Sequence, residues 1–144
     1  MEFISKSTKE TIEIAKRFSK KIKAPKIILL HGDLGAGKTH FTKGIAKGLG
    51  YKDSVTSPTF TIMNSYEGGK FPLYHFDMYR LSSSDEALEA GLEEYLNLET
   101  LKGVSVVEWI ENVPGLVDEK KAIQVYIEKV DENVRKITIL EEKC

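Results

Sequence analysis

Lys26-Ile27-Ile28-Leu29-Leu30-His31-Gly32-Asp33-Leu34-Gly35-Ala36-Gly37-Lys38-Thr39 is the stretch from which the fold can be read. It opens as an apolar run of buried-strand length, and from Gly32 onward it satisfies the pattern G-x-x-x-x-G-K-[ST] in full. Each residue type has its own reason. Glycines at 32, 35 and 37 let the backbone turn tightly and aim successive N–H groups inward as an anion nest. Lys38 supplies a mobile positive charge for β- and γ-phosphates, and the Thr39 hydroxyl suits Mg²⁺. Downstream, Phe41, Ile45, Ala46 and Leu49 recur at helical spacing, and Gly50 stands where such a helix would stop. Strand, glycine loop and helix follow in the order a phosphate site needs, with the helix dipole pointing its positive end at the ligand. The expected nucleotide contacts run through Asp33, Leu34, Gly35, Ala36, Gly37, Lys38, Thr39 and His40.

The whole chain limits what this loop can serve. Its 144 residues suit one domain with a single proper core, so residues 1–144 are read as one unit. Apolar residues make up 41% and charged residues 30%, ordinary values for a globular protein, and no run approaches a membrane span. Lys6, Lys9 and Glu10 interrupt any signal-peptide core, and the only cysteine is Cys144, which excludes a disulfide framework. A cytoplasmic location is expected. Charge is unevenly divided: residues 1–52 hold 12 Lys/Arg against 4 Asp/Glu, and residues 53–144 hold 9 against 18. That asymmetry is read either as solvated faces or as an acidic surface for a basic partner. No basic domain or recognition motif marks nucleic-acid binding.

Around the loop the pattern alternates between helix and strand. Ser7-Thr8-Lys9-Glu10 fits a capping box, opening a helix with Ile12, Ala15, Phe18 and Ile22 on one face, which Ala24-Pro25 ends. Two β-like runs, Phe60–Tyr66 and Phe71–Tyr79, flank a hairpin turn at Glu67-Gly68-Gly69-Lys70. A second helix is expected from Ser82–Asp85 into Ala87, Leu88 and Leu92. Val104–Val107 reads as a buried strand, and Ala122–Val130 with Val134–Leu140 as a closing β-hairpin. The expectation is an α/β fold, a mixed central sheet flanked by helices.

A nucleoside triphosphatase also needs an acidic residue at the end of a neighbouring strand. Glu108 is the first candidate, since Val104–Val107 delivers it to a strand's C-terminal edge, where ligands of open α/β sheets bind. Asp77 is the second, in Tyr74-His75-Phe76-Asp77-Met78-Tyr79-Arg80, where His75 and Asp77 share one face. A half-buried strand with a polar face would show the same alternation. Arg80 suits either phosphoryl charge or an acidic neighbour. Ser57-Pro58-Thr59 lies where γ-phosphate sensors sit, though it is also common turn chemistry. For Trp109 core packing is the default expectation.

No guanine-reading Asn-Lys-x-Asp or Thr-Lys-x-Asp motif occurs, which favours ATP. Arg17, Arg80 and Arg135 are the only arginines, few for clamping a second phosphorylated substrate. A small nucleotide or metabolite kinase is therefore the alternative rather than the leading enzyme class, and a nucleotide-gated binding module is a third reading.

Together, His31–Thr39, Ser57-Pro58-Thr59-Phe60-Thr61, Tyr74–Arg80 and Val107-Glu108-Trp109 resemble the TsaE (YjeE) family, in family order and across roughly residues 7–112. The resemblance implies a compact phosphate-loop ATPase of bacterial tRNA threonylcarbamoyladenosine (t6A) synthesis. It implies action on a partner complex, the TsaD–TsaB pair that transfers threonylcarbamoyl to tRNA, with tRNA reached indirectly through that complex. Carried over by motif, Lys38 holds phosphates, Thr39 and Glu108 bind Mg²⁺, Asp77 supports catalysis, and Ser57–Thr61 senses the nucleotide. Thr11 matches a family position expected near ATP. His40 departs from the family, which usually has a second Thr or Ser there.

Overall fold

The computed structural model describes residues 1–33, 35–51 and 62–141. Ten principal elements follow one another in these residues: β1 (Glu2–Ser5), α1 (Thr8–Ser19), β2 (Lys26–His31), α2 (Lys38–Gly48), β3 (Met63–Tyr66), β4 (Leu73–Asp77), α3 (Ser84–Glu89), β5 (Val104–Glu108), β6 (Ile123–Lys129) and β7 (Arg135–Leu140). The strands form one seven-stranded sheet in the order β1-β7-β6-β2-β5-β4-β3. Pairings β6–β2, β2–β5 and β5–β4 are parallel; β1–β7, β6–β7 and β3–β4 are antiparallel. The expected mixed sheet is present, closed by the β6–β7 hairpin.

β2 is central, and its apolar run is continuous because both sheet faces are covered there. Ile28 and Leu30 pack with Ala15 and Phe18 of α1 and Phe41 and Ile45 of α2. Ile27 and Leu29 face the other way, toward Phe76, Val107, Ala87, Leu92 and Leu96. Each of the apolar residues Ile27 to Leu30 thus serves one of two cores.

α1 starts where its cap dictates. The Ser7 hydroxyl accepts the Glu10 N–H at 3.0 Å, and the Glu10 carboxylate turns back to the Lys6 N–H at 2.6 Å, one residue before the cap. Small residues let α1 and α2 approach closely. A Cβ on Gly44 would collide with the Ile12 carbonyl and come 2.5 Å from the Ala15 Cβ; one on Gly48 would meet Ser19 and the Lys16 carbonyl.

Three readings need correction. β1 was not anticipated: four residues that alternate weakly in burial carry little pattern, and only pairing with β7 makes them a strand. The second helix, expected to run into Ala87, Leu88 and Leu92, stops at Glu89 short of Leu92; α3 buries only Ala87, and Leu88 is 44% exposed. The Phe71–Tyr79 run is strand only over Leu73–Asp77, because the chain turns at Tyr79 and Arg80. The run expected from Phe60 enters the described residues at Ile62 and is strand from Met63.

Candidate functional site

The parallel register brings the separate motifs together. In the β5–β4 ladder Asp77 lies opposite Glu108, and in the β2–β5 ladder Leu30 lies opposite the same residue. Three adjacent strands therefore end side by side, one leading into the phosphate loop and two ending in a carboxylate. Around these ends lies a cleft of about 330 Å³, lined by Gly35–His40, Thr11, Asp77, Glu108, Trp109 and Arg135, among others.

The loop backbone has the conformation its glycines were expected to provide. Gly35 and Gly37 have φ of 81° and 111°, left-handed values, and a Cβ on either would meet open space, so backbone conformation and not crowding requires glycine there. Gly32 answers a different need, since its Cβ would lie 2.7 Å from the Ile127 carbonyl oxygen. Among the described residues no side chain caps α2: Gly37 is its N-cap, and the first-turn amides have no side-chain acceptor there. The Lys38 ammonium reaches back to donate to the Gly32 carbonyl at 2.6 Å and lies 3.9 Å from the centre of the Trp109 ring. Burial lowers the Lys38 pKa, opposed by the nearby carboxylates of Glu108, Asp77, Glu111 and Asp33. At the other side of the loop, burial lowers the His40 pKa, helped by the positive charges of Lys43 and Arg135.

Glu108 is buried, 4% exposed, and its Oε2 lies 2.6 Å from Nε2 of the fully buried His75. Against a carboxylate acceptor that Nε2 carries the proton. One carboxylate oxygen is thereby fixed by β4, and the residue lines the cleft. The other ring nitrogen, Nδ1, has no hydrogen-bond partner among the described residues. The β4 and β5 ends are also tied through the backbone: Met78 N–H donates to the Glu108 carbonyl at 3.0 Å, and the Asn112 amide donates to the Met78 and Tyr79 carbonyls. Trp109, directly after Glu108, has φ 62° and ψ 41°, a left-handed conformation costing a non-glycine residue about 1–2 kcal/mol. That turn carries the indole out of the strand to Lys38, edge-on to Tyr79 at 5.0 Å.

Most expected residues gather here, with differences. Lys38, Thr39, His40, Gly35, Ala36, Gly37, Asp77 and Glu108 all line the cleft. So does Thr11, whose buried hydroxyl is 2.7 Å from the Ser5 hydroxyl. The Asp33 side chain is exposed and outside the lining, although its carbonyl accepts the Ala36 N–H and shapes the turn. Leu34 and Ser57–Thr61 lie outside the described residues. Arg80 is exposed and does not line the cleft. Trp109 meets the core-packing default only in part: half-buried, it packs against the core that holds Val107 and Ile110, and it also forms part of the cleft wall.

Two contributors were missed. His75 shares a face with Asp77 in sequence, but nothing local shows that β5 lies next to it. Arg135 lines the cleft and donates to the Ala36 carbonyl at 2.9 Å across 99 residues, a contact no local pattern reveals.

These parts suit a nucleoside triphosphate with Mg²⁺. A helix start without a side-chain cap and a lysine, both in the cleft lining, could take phosphate oxygens. Among the described residues no three His, Cys, Asp or Glu side chains group to hold a metal alone. Mg²⁺ asks for no such group, since one or two protein oxygens plus phosphates and waters complete its shell.

The model of the family "Threonylcarbamoyl adenosine biosynthesis protein TsaE" matches residues 5–137. The chain belongs to the TsaE family. A TsaE protein of Bacillus subtilis (strain 168) is 43% identical over 129 residues, covering 90% of this chain and 78% of that one. A TsaE protein of Rickettsia prowazekii (strain Madrid E) is 40% identical over 137 residues, covering 94% and 92%. Among solved structures, the crystal structure of Bacillus subtilis YdiB superposes with a TM-score of 0.72 at 36% identity, covering 96% of this chain and 83% of that one. The matched TsaE region takes in the phosphate loop, both carboxylate-bearing strand ends and Arg135. TsaE membership places the chain among proteins of tRNA threonylcarbamoyladenosine biosynthesis. No helix of the described residues in this TsaE chain is long and apolar enough to cross a membrane.

Proposed function

We propose that this chain is an Mg²⁺-dependent ATPase subunit of the t6A system, acting in the cytoplasm on the TsaD–TsaB complex and reaching tRNA through it. The observation that carries the reading is the convergence of Lys38, Thr39, Glu108 and Asp77 on one cleft beneath an uncapped helix end.

The chain's own residues would divide the work. Phosphate oxygens compete for the Lys38 ammonium, whose present partners are a neutral carbonyl and a ring face, and draw it toward the β- and γ-phosphates. The amides of Gly35–Thr39 cradle the same oxygens. Thr39 Oγ1 and the Glu108 carboxylate would hold Mg²⁺, which would supply neutralisation of the charge developing on the transferred phosphoryl. His75 keeps Glu108 from rotating, so that one oxygen stays aimed at the cleft. Asp77 orients the attacking water, and Ser57–Thr61 reports the γ-phosphate to the partner complex.

Phosphate release measured with Mg²⁺·ATP and no acceptor tests this. Turnover by the chain alone, raised by TsaD–TsaB and abolished in Lys38→Ala and Glu108→Ala proteins that keep wild-type circular dichroism, is the expected result. Silence until a small acceptor is added would make the chain a kinase. Wild-type turnover by Glu108→Ala would remove Glu108 from the mechanism.

A further inference from the structure

The acidic half of the chain surrounds a second cavity that the nucleotide cleft does not share. It measures about 400 Å³, against about 330 Å³ for the cleft. Ile27, at the opposite end of β2 from the phosphate loop, lies at its base. Its apolar wall comes from Leu88, Leu96, Leu98 and Leu116. Leu88 is 44% exposed there, on a six-residue helix that leaves it uncovered.

The rim has one sign of charge over most of its length. Glu93, Glu99 and Asp118 line the groove, with Lys121 as the basic residue among its lining. Between Leu81 and Leu101 the sequence holds Asp85, Glu86, Glu89, Glu93, Glu94 and Glu99 and no Lys or Arg. All six carboxylates are exposed. Their mutual repulsion is relieved when cations are brought near.

A groove with one apolar wall and a carboxylate edge is complementary to a segment with apolar anchors on one stripe and Lys or Arg on its flanks. We propose that this groove docks a basic amphipathic segment of a partner protein. The anchors enter beside Leu88 and Leu116, and the flanking cations face Glu93, Glu99 and Asp118. A second copy of the chain is a poorer occupant. Its lysine-rich surface is α1, where Ala15 and Phe18 are buried against its own core and only Ile12 and Ile14 are partly exposed. That surface offers cations with few free anchors. The proposal stands apart from the ATPase reading, because the residues named here lie outside the nucleotide cleft.

The probe is a synthetic 14-residue peptide of Leu and Lys, with Leu at i, i+3, i+4, i+7 and i+11. Controls replace every Lys by Glu, or every Leu by Ser. Titration of the full chain, followed by amide NMR and fluorescence anisotropy, should give saturable shifts confined to residues 84–99 and 114–121. Glu93→Lys/Glu99→Lys should weaken binding about tenfold or more, and Leu88→Ser severalfold, with ATP-driven phosphate release unchanged. Shifts scattered over the surface, equal binding of either control peptide, or indifference to the charge reversal would overturn the proposal. So would concentration-dependent self-association in sedimentation that the Leu/Lys peptide fails to displace and the double charge reversal abolishes, since the occupant would then be a second copy.

Discussion

At the residue scale, the His75–Glu108 contact shows why a catalytic candidate needs a partner that is not itself catalytic. Both side chains are buried, and each satisfies a polar group the other would leave orphaned. His75→Ala should therefore lower the unfolding free energy by about 1–3 kcal/mol, read from urea denaturation with an unchanged m-value. Glu108→Gln keeps an acceptor for His75 and should cost less stability while removing the charge proposed to hold Mg²⁺. Trp109 makes a second residue-scale prediction. Its left-handed backbone is relieved by glycine and not by alanine, and both lose the indole. Trp109→Gly should therefore be more stable than Trp109→Ala by about 1 kcal/mol in the same assay.

At the element scale, the α1–α2 contact sets two effects against each other. Gly44→Ala improves helix propensity by about 1 kcal/mol. Its new methyl, however, would run into the Ile12 carbonyl, and a backbone group inside a packed helix cannot yield as a flexible side chain can. Overpacking of that kind costs about 1–3 kcal/mol, so the substitution should destabilise on balance, checked by the thermal midpoint. The helix pattern around Phe41 and Ile45 could be read from sequence, and so could the Ser7 cap. The need for glycine at 44 could not, because it comes from the other helix.

At the scale of the whole molecule, Arg135 connects the end of the chain to its phosphate loop. The β6–β7 hairpin places its guanidinium against the Ala36 carbonyl, so the loop is held from a strand 99 residues away. Arg135→Ala should speed amide exchange at residues 35–37 and raise the KM for ATP more than it lowers kcat. Nucleotide should in turn stabilise the entire fold. Mg²⁺·ATP at about 100 times its Kd adds about 2.7 kcal/mol, or about 6–10 °C in Tm for a chain of this size, a gain that Lys38→Ala should lose.

The sequence by itself determined the chemistry of the loop and its place between a strand and a helix. Glycine conformation, a lysine charge and a threonine hydroxyl are local properties, and hydrophobic period is a local signal. It also singled out Glu108, because a strand end can be read from an apolar run, and Asp77, from the alternation of faces along Tyr74–Arg80. Only the tertiary structure decided that those two ends lie side by side, that His75 holds Glu108, and that Arg135 grips the loop. It alone revealed β1 and left Leu88 uncovered beside an acidic groove. These features depend on which strands pair and in what order, and pairing across tens of residues is fixed by the burial of the whole sheet rather than by any segment's own pattern.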